Sequence, residues 1–154
     1  MTVKTVITYG TFDMFHIGHL RLIKRLAEIG DRLIVGVSTD EFNLIKGKKC
    51  IIPFEQRREI VESIKGVDFV IPENSWEQKR HDVMAYKVDV FVMGEDWLGK
   101  FDYLNEYCDV KYLPRTEGIS TTELKSVLSG PIDNLRREID QVFGLIETIR
   151  GNLK

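Results

Sequence analysis

Residues 3–20 read VKTVITYGTFDMFHIGHL. The opening run, Val3–Tyr9, is rich in β-branched and aromatic residues and stops at Gly10, which predicts a strand. From Ile17 the apolar residues return at helical spacing as far as Ile29, which predicts a helix. A strand that passes through glycine and small residues into a helix N-terminus is an anion-binding arrangement, because unpaired backbone N–H groups and the helix dipole face the same point. Gly10, Thr11, Phe12 and Gly18 are therefore expected to bring backbone close to an anionic ligand, with Asp13 supporting the site. His16 and His19 are three apart, share a helix face and can both donate to one phosphate group. Two other readings stand beside that one. The histidines can satisfy local backbone, or belong to a metal site, although HxxH lacks the glutamate of HExxH and a third ligand is not evident.

The same alternation continues down the chain. Arg32–Ser38, Val67–Ile71, Asp89–Met93 and Val110–Leu113 are short β-branched runs bounded by Gly, Pro, Asp or Ser. Ile17–Ile29, Glu55–Ile64, Trp76–Tyr86 and a shorter Lys100–Tyr107 have helical spacing. Strand and helix in turn predict an α/β fold: a doubly wound Rossmann-like domain with a five-stranded parallel sheet, whose ligand crevice lies at the carboxyl ends of the strands. Residues 1–130 are expected to form that domain, with Gly130-Pro131 stopping its last helix. The extension, 131–154, carries Leu135, Ile139, Val142, Ile146, Ile149 and Leu153 at alternating spacings of four and three, a heptad-like seam. Packing of that amphipathic helix on its own domain and pairing in a dimer are equally compatible with the pattern.

Composition narrows the classes of partner. The 154 residues carry 43% hydrophobic and 30% charged residues, ordinary for a globular chain, and the net charge of −2 offers no basic face for nucleic acid or an anionic membrane. Cys50 and Cys108 lie far apart without CxxC or His spacing, so neither a zinc site nor a disulfide framework is expected, and both read as buried small apolar residues. The first residues lack an apolar signal core and no stretch approaches the roughly 20 apolar residues of a membrane span, so the chain is expected in the cytoplasm.

Candidate residues follow the other strands too. Ser120 and Glu123 have capping-box spacing, which opens a second helix N-terminus, while Arg115 offers a charged fork and Thr116, Ser120 and Thr121 offer hydroxyls. Lys46-Gly47-Lys48-Lys49 follows the second strand: it reads either as a solvated loop or as a lid that glycine leaves mobile enough to close over a phosphate-bearing ligand. Asp96 and Trp97 follow the fourth strand and can shape a ligand pocket, although a tryptophan buried in a turn explains Trp97 nearly as well. Asp40 has a weaker claim.

HIGH within GTFDMFHIGHL, together with YGTFD, STDEFN, FVMGEDW and YLPRTEGISTT, resembles the glycerol-3-phosphate cytidylyltransferase family of the HIGH-type nucleotidyltransferases, over residues 3–129. The resemblance implies transfer of CMP from CTP to a small phosphorylated alcohol, with glycerol 3-phosphate leading. His16, His19, Lys46 and Arg115 would be catalytic, and Gly10, Thr11, Phe12, Gly18, Met93, Asp96, Thr116, Ile119, Ser120 and Thr121 would bind nucleotide. Asp13, Lys48, Arg57 and Trp97 would bind acceptor, although Arg57 also reads as a surface helix arginine. Lys65 stands where arginine is frequent in the family, keeping charge but losing bidentate geometry. The resemblance further implies a homodimer and a place in teichoic-acid or related surface-polymer synthesis. Mg²⁺ is expected to arrive on the CTP phosphates, with no protein metal site. Transfer to ethanolamine phosphate or another polyol phosphate, use of ATP, and a silent nucleotide-binding scaffold are the competing readings.

Overall fold

The computed structural model describes residues 2–152, and the chain divides into two compact units, residues 1–118 and 119–154. In the first unit β1 (Thr5–Gly10), β2 (Arg32–Ser38), β3 (Phe69–Glu73), β4 (Val90–Gly94) and β5 (Asp109–Leu113) form one sheet. Every pairing is parallel and the order across the sheet is β3-β2-β1-β4-β5. The helices are α1 (Ile17–Ala27), α2 (Asp40–Ile45), α3 (Phe54–Glu62) and α4 (Gln78–Ala85), with 3-10 turns at Glu95–Trp97 and Asp102–Glu106.

Strand side chains alternate faces, and the two faces are buried under different helices. Val6, Val35, Val37, Val90 and Val92 pack with Ile23 and Leu26 of α1 and Val61 of α3. Ile7, Ile34, Phe91 and Met93 pack with Val83 of α4 and with Phe101 and Leu104. The amino ends of the strands are tied by aspartates: Asp31 accepts the Lys4 N–H at 2.9 Å, Asp68 that of Leu33 at 2.8 Å and Asp89 that of Thr5 at 2.7 Å. The carboxyl ends are left for the site. Because the chain winds from β1 to β2 and β3 and then returns to place β4 on the other side of β1, the crevice opens between β1 and β4.

Three boundaries differ from expectation. The third strand starts at Phe69, because Gly66, at φ +100°, Val67 and Asp68 form the turn before it, and it runs through Pro72, which an edge strand tolerates. The stretch expected as a helix at Lys100–Tyr107 is a short 3-10 turn. An unexpected helix, α2, is capped by Thr39, whose Oγ1 accepts the Phe42 N–H at 3.3 Å, with Asp40 and Glu41 in its first turn.

The second unit is α5, Thr121–Asn152. Ser120 Oγ accepts the Glu123 N–H at 3.1 Å at its start. The expected stop at Gly130-Pro131 does not occur, for Pro131 lies inside the helix. Gly130 has no Cβ to clash with the proline ring, and the missing N–H leaves the carbonyl of Val127, a residue 73% exposed, within reach of water. Leu135, Ile139, Val142, Ile146 and Ile149 of the seam are exposed, while Leu153 lies outside the described residues. No described helix is long and apolar enough to cross a membrane.

Candidate active site

The turn after β1 is held under strain. Phe12 and Met14 adopt φ of +53° and +50°, a conformation that costs a non-glycine residue on the order of 1–3 kcal/mol and persists only where the surroundings fix it. Here they do. Buried Asp13 accepts the N–H groups of Ile51 and Ile52, each at 2.9 Å. Arg57, 1% exposed, donates to the carbonyls of Thr11 at 2.6 Å, Ser38 at 2.8 Å and Ile52 at 2.8 Å, and to Asp40 Oδ1 at 2.7 Å. Arg57 is thus a buried brace between two loops, not the surface arginine its helical setting allowed. Asn43, also buried, receives Thr11 Oγ1 at 3.0 Å and donates to the Ser38 carbonyl and Cys50 Sγ. At Gly10 a Cβ would lie 2.8 Å from the Phe12 ring, so glycine is what lets that ring fold back over the strand end.

The two histidines are placed by this turn. His16 is the N-cap of α1: its Nδ1 accepts the Gly18 N–H at 3.0 Å, and His19 Nδ1 accepts the His16 N–H at 3.4 Å. With both Nδ1 atoms accepting, the neutral rings carry their protons on Nε2, as donors. The rings stack at 3.8 Å between centroids, and Phe12 and Phe15 each pack on His19 at 5.4 Å. Burial, with the neighbouring His16 and against the pull of Asp13, brings His19 down to about 4, and burial also lowers His16. At neutral pH the pair is two uncharged donors on one face. Backbone capping and phosphate donation, set against each other in the sequence, prove compatible because they use different ring nitrogens.

Beside the histidines lies a cluster that the sequence did not disclose. Buried Glu73, at the end of β3, pairs with Lys79 of α4, which is fully buried, and with Lys46 Nζ at 3.5 Å. Ser38 hydrogen-bonds to Glu73 and receives Lys46 Nζ at 2.8 Å. Lys79 Nζ lies 4.6 Å from the centroid of Tyr9 and 4.9 Å from that of Trp76, and Lys46 Nζ lies 4.5 Å from that of Phe42, so aromatic faces replace water around both ammonium groups. Burial lowers the Lys46 pKa, the Glu73 charge opposes that, and Lys48 adds to it. Tyr9 donates to Asp82 at 2.8 Å and is raised by burial and by that carboxylate. The signal available was Glu73 and Lys79 straddling Trp76, but nothing local distinguishes them from solvent-facing charges.

The lysine loop is anchored where it leaves α2. Gly47, at φ +70°, is the helix-stop residue of α2: its N–H reaches the Leu44 carbonyl at 3.0 Å while that of Lys48 reaches Asn43 at 2.8 Å, a Schellman motif. Lys46 therefore points inward and Lys48 is exposed. Across the crevice, exposed Arg115 is held by Asp96 at 2.8 Å from Nε, and its N–H reaches Glu95 at 3.2 Å. Thr116 Oγ1 approaches the Gly18 carbonyl at 3.5 Å, bringing this segment to the start of α1. Met93 is buried at the end of β4, and Trp97 joins Trp76, Lys100, Phe101 and Tyr103 around a cleft of about 420 Å³. Lys65 precedes β3, at the amino end of the sheet and away from the crevice. Ile119, Ser120 and Thr121 belong to the second unit. Cys50 and Cys108 are half-buried.

Known proteins match this arrangement. The cytidylyltransferase-like family matches residues 7–127. Glycerol-3-phosphate cytidylyltransferase of Bacillus subtilis is 56% identical over 128 residues, covering 83% of this chain and 99% of that protein. Its counterpart in Staphylococcus aureus is 58% identical over 128 residues, covering 83% and 97%. Among solved structures, the lipopolysaccharide core biosynthesis protein of Thermoplasma volcanium aligns with a TM-score of 0.64 at 23% identity, over 75% of this chain and 100% of its own, a likeness of fold.

Proposed function

The chain belongs to the cytidylyltransferase-like family, and from that premise we propose that it transfers the cytidylyl group of CTP to glycerol 3-phosphate, giving CDP-glycerol and pyrophosphate. The observation that carries this reading is the neutral, Nε2-protonated histidine pair at the mouth of β1, in a chain more than half identical to glycerol-3-phosphate cytidylyltransferases over nearly their whole length.

An oxygen of the acceptor phosphate attacks the α-phosphorus of CTP, a new P–O bond forms, and the bond to the bridging oxygen breaks with its electron pair leaving on pyrophosphate. A phosphate monoester has its second pKa at about 6 and is ionised at neutral pH, so the reaction asks for no general base. What it asks for is orientation and stabilisation of charge on the α-phosphate and the leaving group. His16 and His19 donate from Nε2 to the phosphoryl oxygens, and being neutral they do not depend on losing a proton first. Lys46 and Arg115 draw charge toward the pyrophosphate, each leaving a carboxylate that holds it in the ligand-free protein, Glu73 and Asp96.

Gly10, Thr11, Phe12, Gly18, Met93, Asp96 and Thr116 are assigned to the nucleotide; Ile119, Ser120 and Thr121 carry the same assignment on the resemblance of RTEGISTT alone. Lys48 and Trp97 are assigned to the acceptor, and Asp13 and Arg57 to bracing the loop against which it sits. Mg²⁺ is assigned to the CTP oxygens and water, where it would neutralise triphosphate charge. The reading extends to a cytoplasmic homodimer whose product serves teichoic-acid or related surface-polymer synthesis.

The test is pyrophosphate release from CTP and Mg²⁺ with and without glycerol 3-phosphate, the nucleotide product being identified by mass. Acceptor-dependent CDP-glycerol is expected. Turnover with ATP and none with CTP, or with a different phosphorylated alcohol only, would replace the substrate named here.

A further inference from the structure

We propose that the apolar seam of α5 pairs with the same seam on a second copy of this chain, forming a two-stranded coiled coil. The proposal goes beyond the homodimer reading, because the contact it names lies outside the domain the relatives share, and it is independent of the reaction.

The seam is continuous. Ile132, Ile139 and Ile146 occupy one heptad position and Leu128, Leu135, Val142 and Ile149 the other, spaced four and three without interruption, and all seven are 45–69% exposed. The opposite face carries Asp133, Asp140 and Glu147, with Asn134, Gln141 and Thr148 beside them. A seam packed on a globular surface follows the 3.6-residue period of a straight helix and drifts by roughly 20° per heptad from a strict seven-residue repeat. Three heptads without drift therefore ask for another helix of the same period, and a second copy offers one of identical length, roughly 32 Å from Leu128 to Ile149 at 1.5 Å per residue.

The composition of the first half of the seam favours this occupant, and the flanking charges do not oppose it. Isoleucine at one position with leucine at the other, as in the first half of the seam, favours two strands. In parallel register the flanking positions that meet across two copies are five apart: Pro131 with Arg136, Glu138 with Phe143 and Leu145 with Arg150. None is a pair of like charges. The seam also lies beyond residue 127, where the family match ends, and the B. subtilis relative is already covered to 99%, so it is an addition to the domain the relatives share.

The test is cross-linking of the full chain. Ile139→Cys and Val142→Cys together place thiols on the seam, while Arg137→Cys and Thr148→Cys together place them on the polar face, with Cys50 and Cys108 present in both variants. Under mild oxidation the seam variant is expected to form at least ten-fold more covalent two-chain product than the control. Adding Ile146→Asp to the seam variant is expected to lower that yield at least ten-fold. Equal linking in the two variants, or none in either, overturns the proposal. Sedimentation of the unlinked protein separates the two claims, since a two-chain mass without seam linking rejects the coiled coil and leaves the homodimer standing.

Discussion

The two donor groups of the crevice are built in opposite ways. His16 and His19 take their placement from backbone, each Nδ1 accepting a main-chain N–H at the start of α1, and they are uncharged. Lys46 takes its placement from side chains, Ser38 and Glu73, and shares that carboxylate with fully buried Lys79 inside a set of aromatic rings. Backbone-anchored donors have one geometry with or without ligand. A lysine held by a carboxylate has a second place to go, and can exchange Glu73 for a phosphate without being taken out of water at that moment. The histidines thus read as fixed electrostatic preorganisation and Lys46 as a donor stored desolvated next to the site.

The largest effect expected from this contrast is on stability, at Glu73. Glu73→Gln leaves Lys79 buried without its counter-charge, and removing one partner of a buried ion pair costs about 3–5 kcal/mol. Urea unfolding of the ligand-free protein reads this directly. A loss under about 1 kcal/mol would mean that the aromatic faces alone hold Lys79, and the contrast drawn above would fail on its charged side.

Next is the histidine pair. His19→Ala is expected to lower kcat by about 10²–10³, or roughly 2.7–4 kcal/mol, the scale for removing one preorganised donor. His16 separates placement from chemistry. His16→Asn keeps an N-cap acceptor and loses the Nε2 donor, so it should lose turnover while unfolding like the parent. His16→Ala should lose the same turnover and a further ~1 kcal/mol of stability with the cap. Equal turnover in parent and His16→Asn would reduce His16 to a helix cap.

The histidines also write a pH signature. The folded protein holds His19 at about 4, below the ordinary value of about 6.5, so over that interval the unfolded chain binds the proton more readily. The corresponding stability is fully present above about pH 6.5 and is lost as pH falls toward 4, up to about 3 kcal/mol in all. His19→Asn should flatten that part of the stability profile, measured by urea midpoints between pH 4 and 7. A profile unchanged by the substitution would place the acid sensitivity elsewhere.

What the sequence disclosed and what it hid follow the same division. The sheet was legible because Val6, Val35 and Val90 sit in β-branched runs whose burial on both faces leaves a local signature, whereas the short α2 was not. The histidine site was legible for the same reason, since the cap, the donors and the turn all lie within residues 10–20. The lysine nest was not, because Ser38, Lys46, Glu73 and Lys79 meet only through the pairing of β2 with β3 and the packing of α4, and each is an ordinary polar residue in its own neighbourhood. Gly47 carries more than composition discloses: glycine in a lysine loop suggests mobility, and its positive φ also ends α2 between the inward Lys46 and the exposed Lys48.

That last point gives the smallest prediction and the sharpest. Lys46 and Lys48 are two residues apart and carry the same charge, so composition cannot rank them. Geometry can. Lys46 is stored against Glu73, whereas Lys48 is exposed to water, where an ionic contact is worth about 0–1 kcal/mol. At 1.36 kcal/mol per factor of ten, Lys48→Ala is expected to raise KM for either substrate by about five-fold or less, with kcat held. Lys46→Ala should exceed it in kcat/KM by at least an order of magnitude, because a desolvated ammonium interacts through a far lower effective dielectric. Steady-state kinetics on the two variants, with CTP and acceptor varied in turn, decides the ranking. The reverse order would mean that Glu73 keeps Lys46 out of the reaction and that the exposed lysine, free to reorient, is the one that meets the triphosphate.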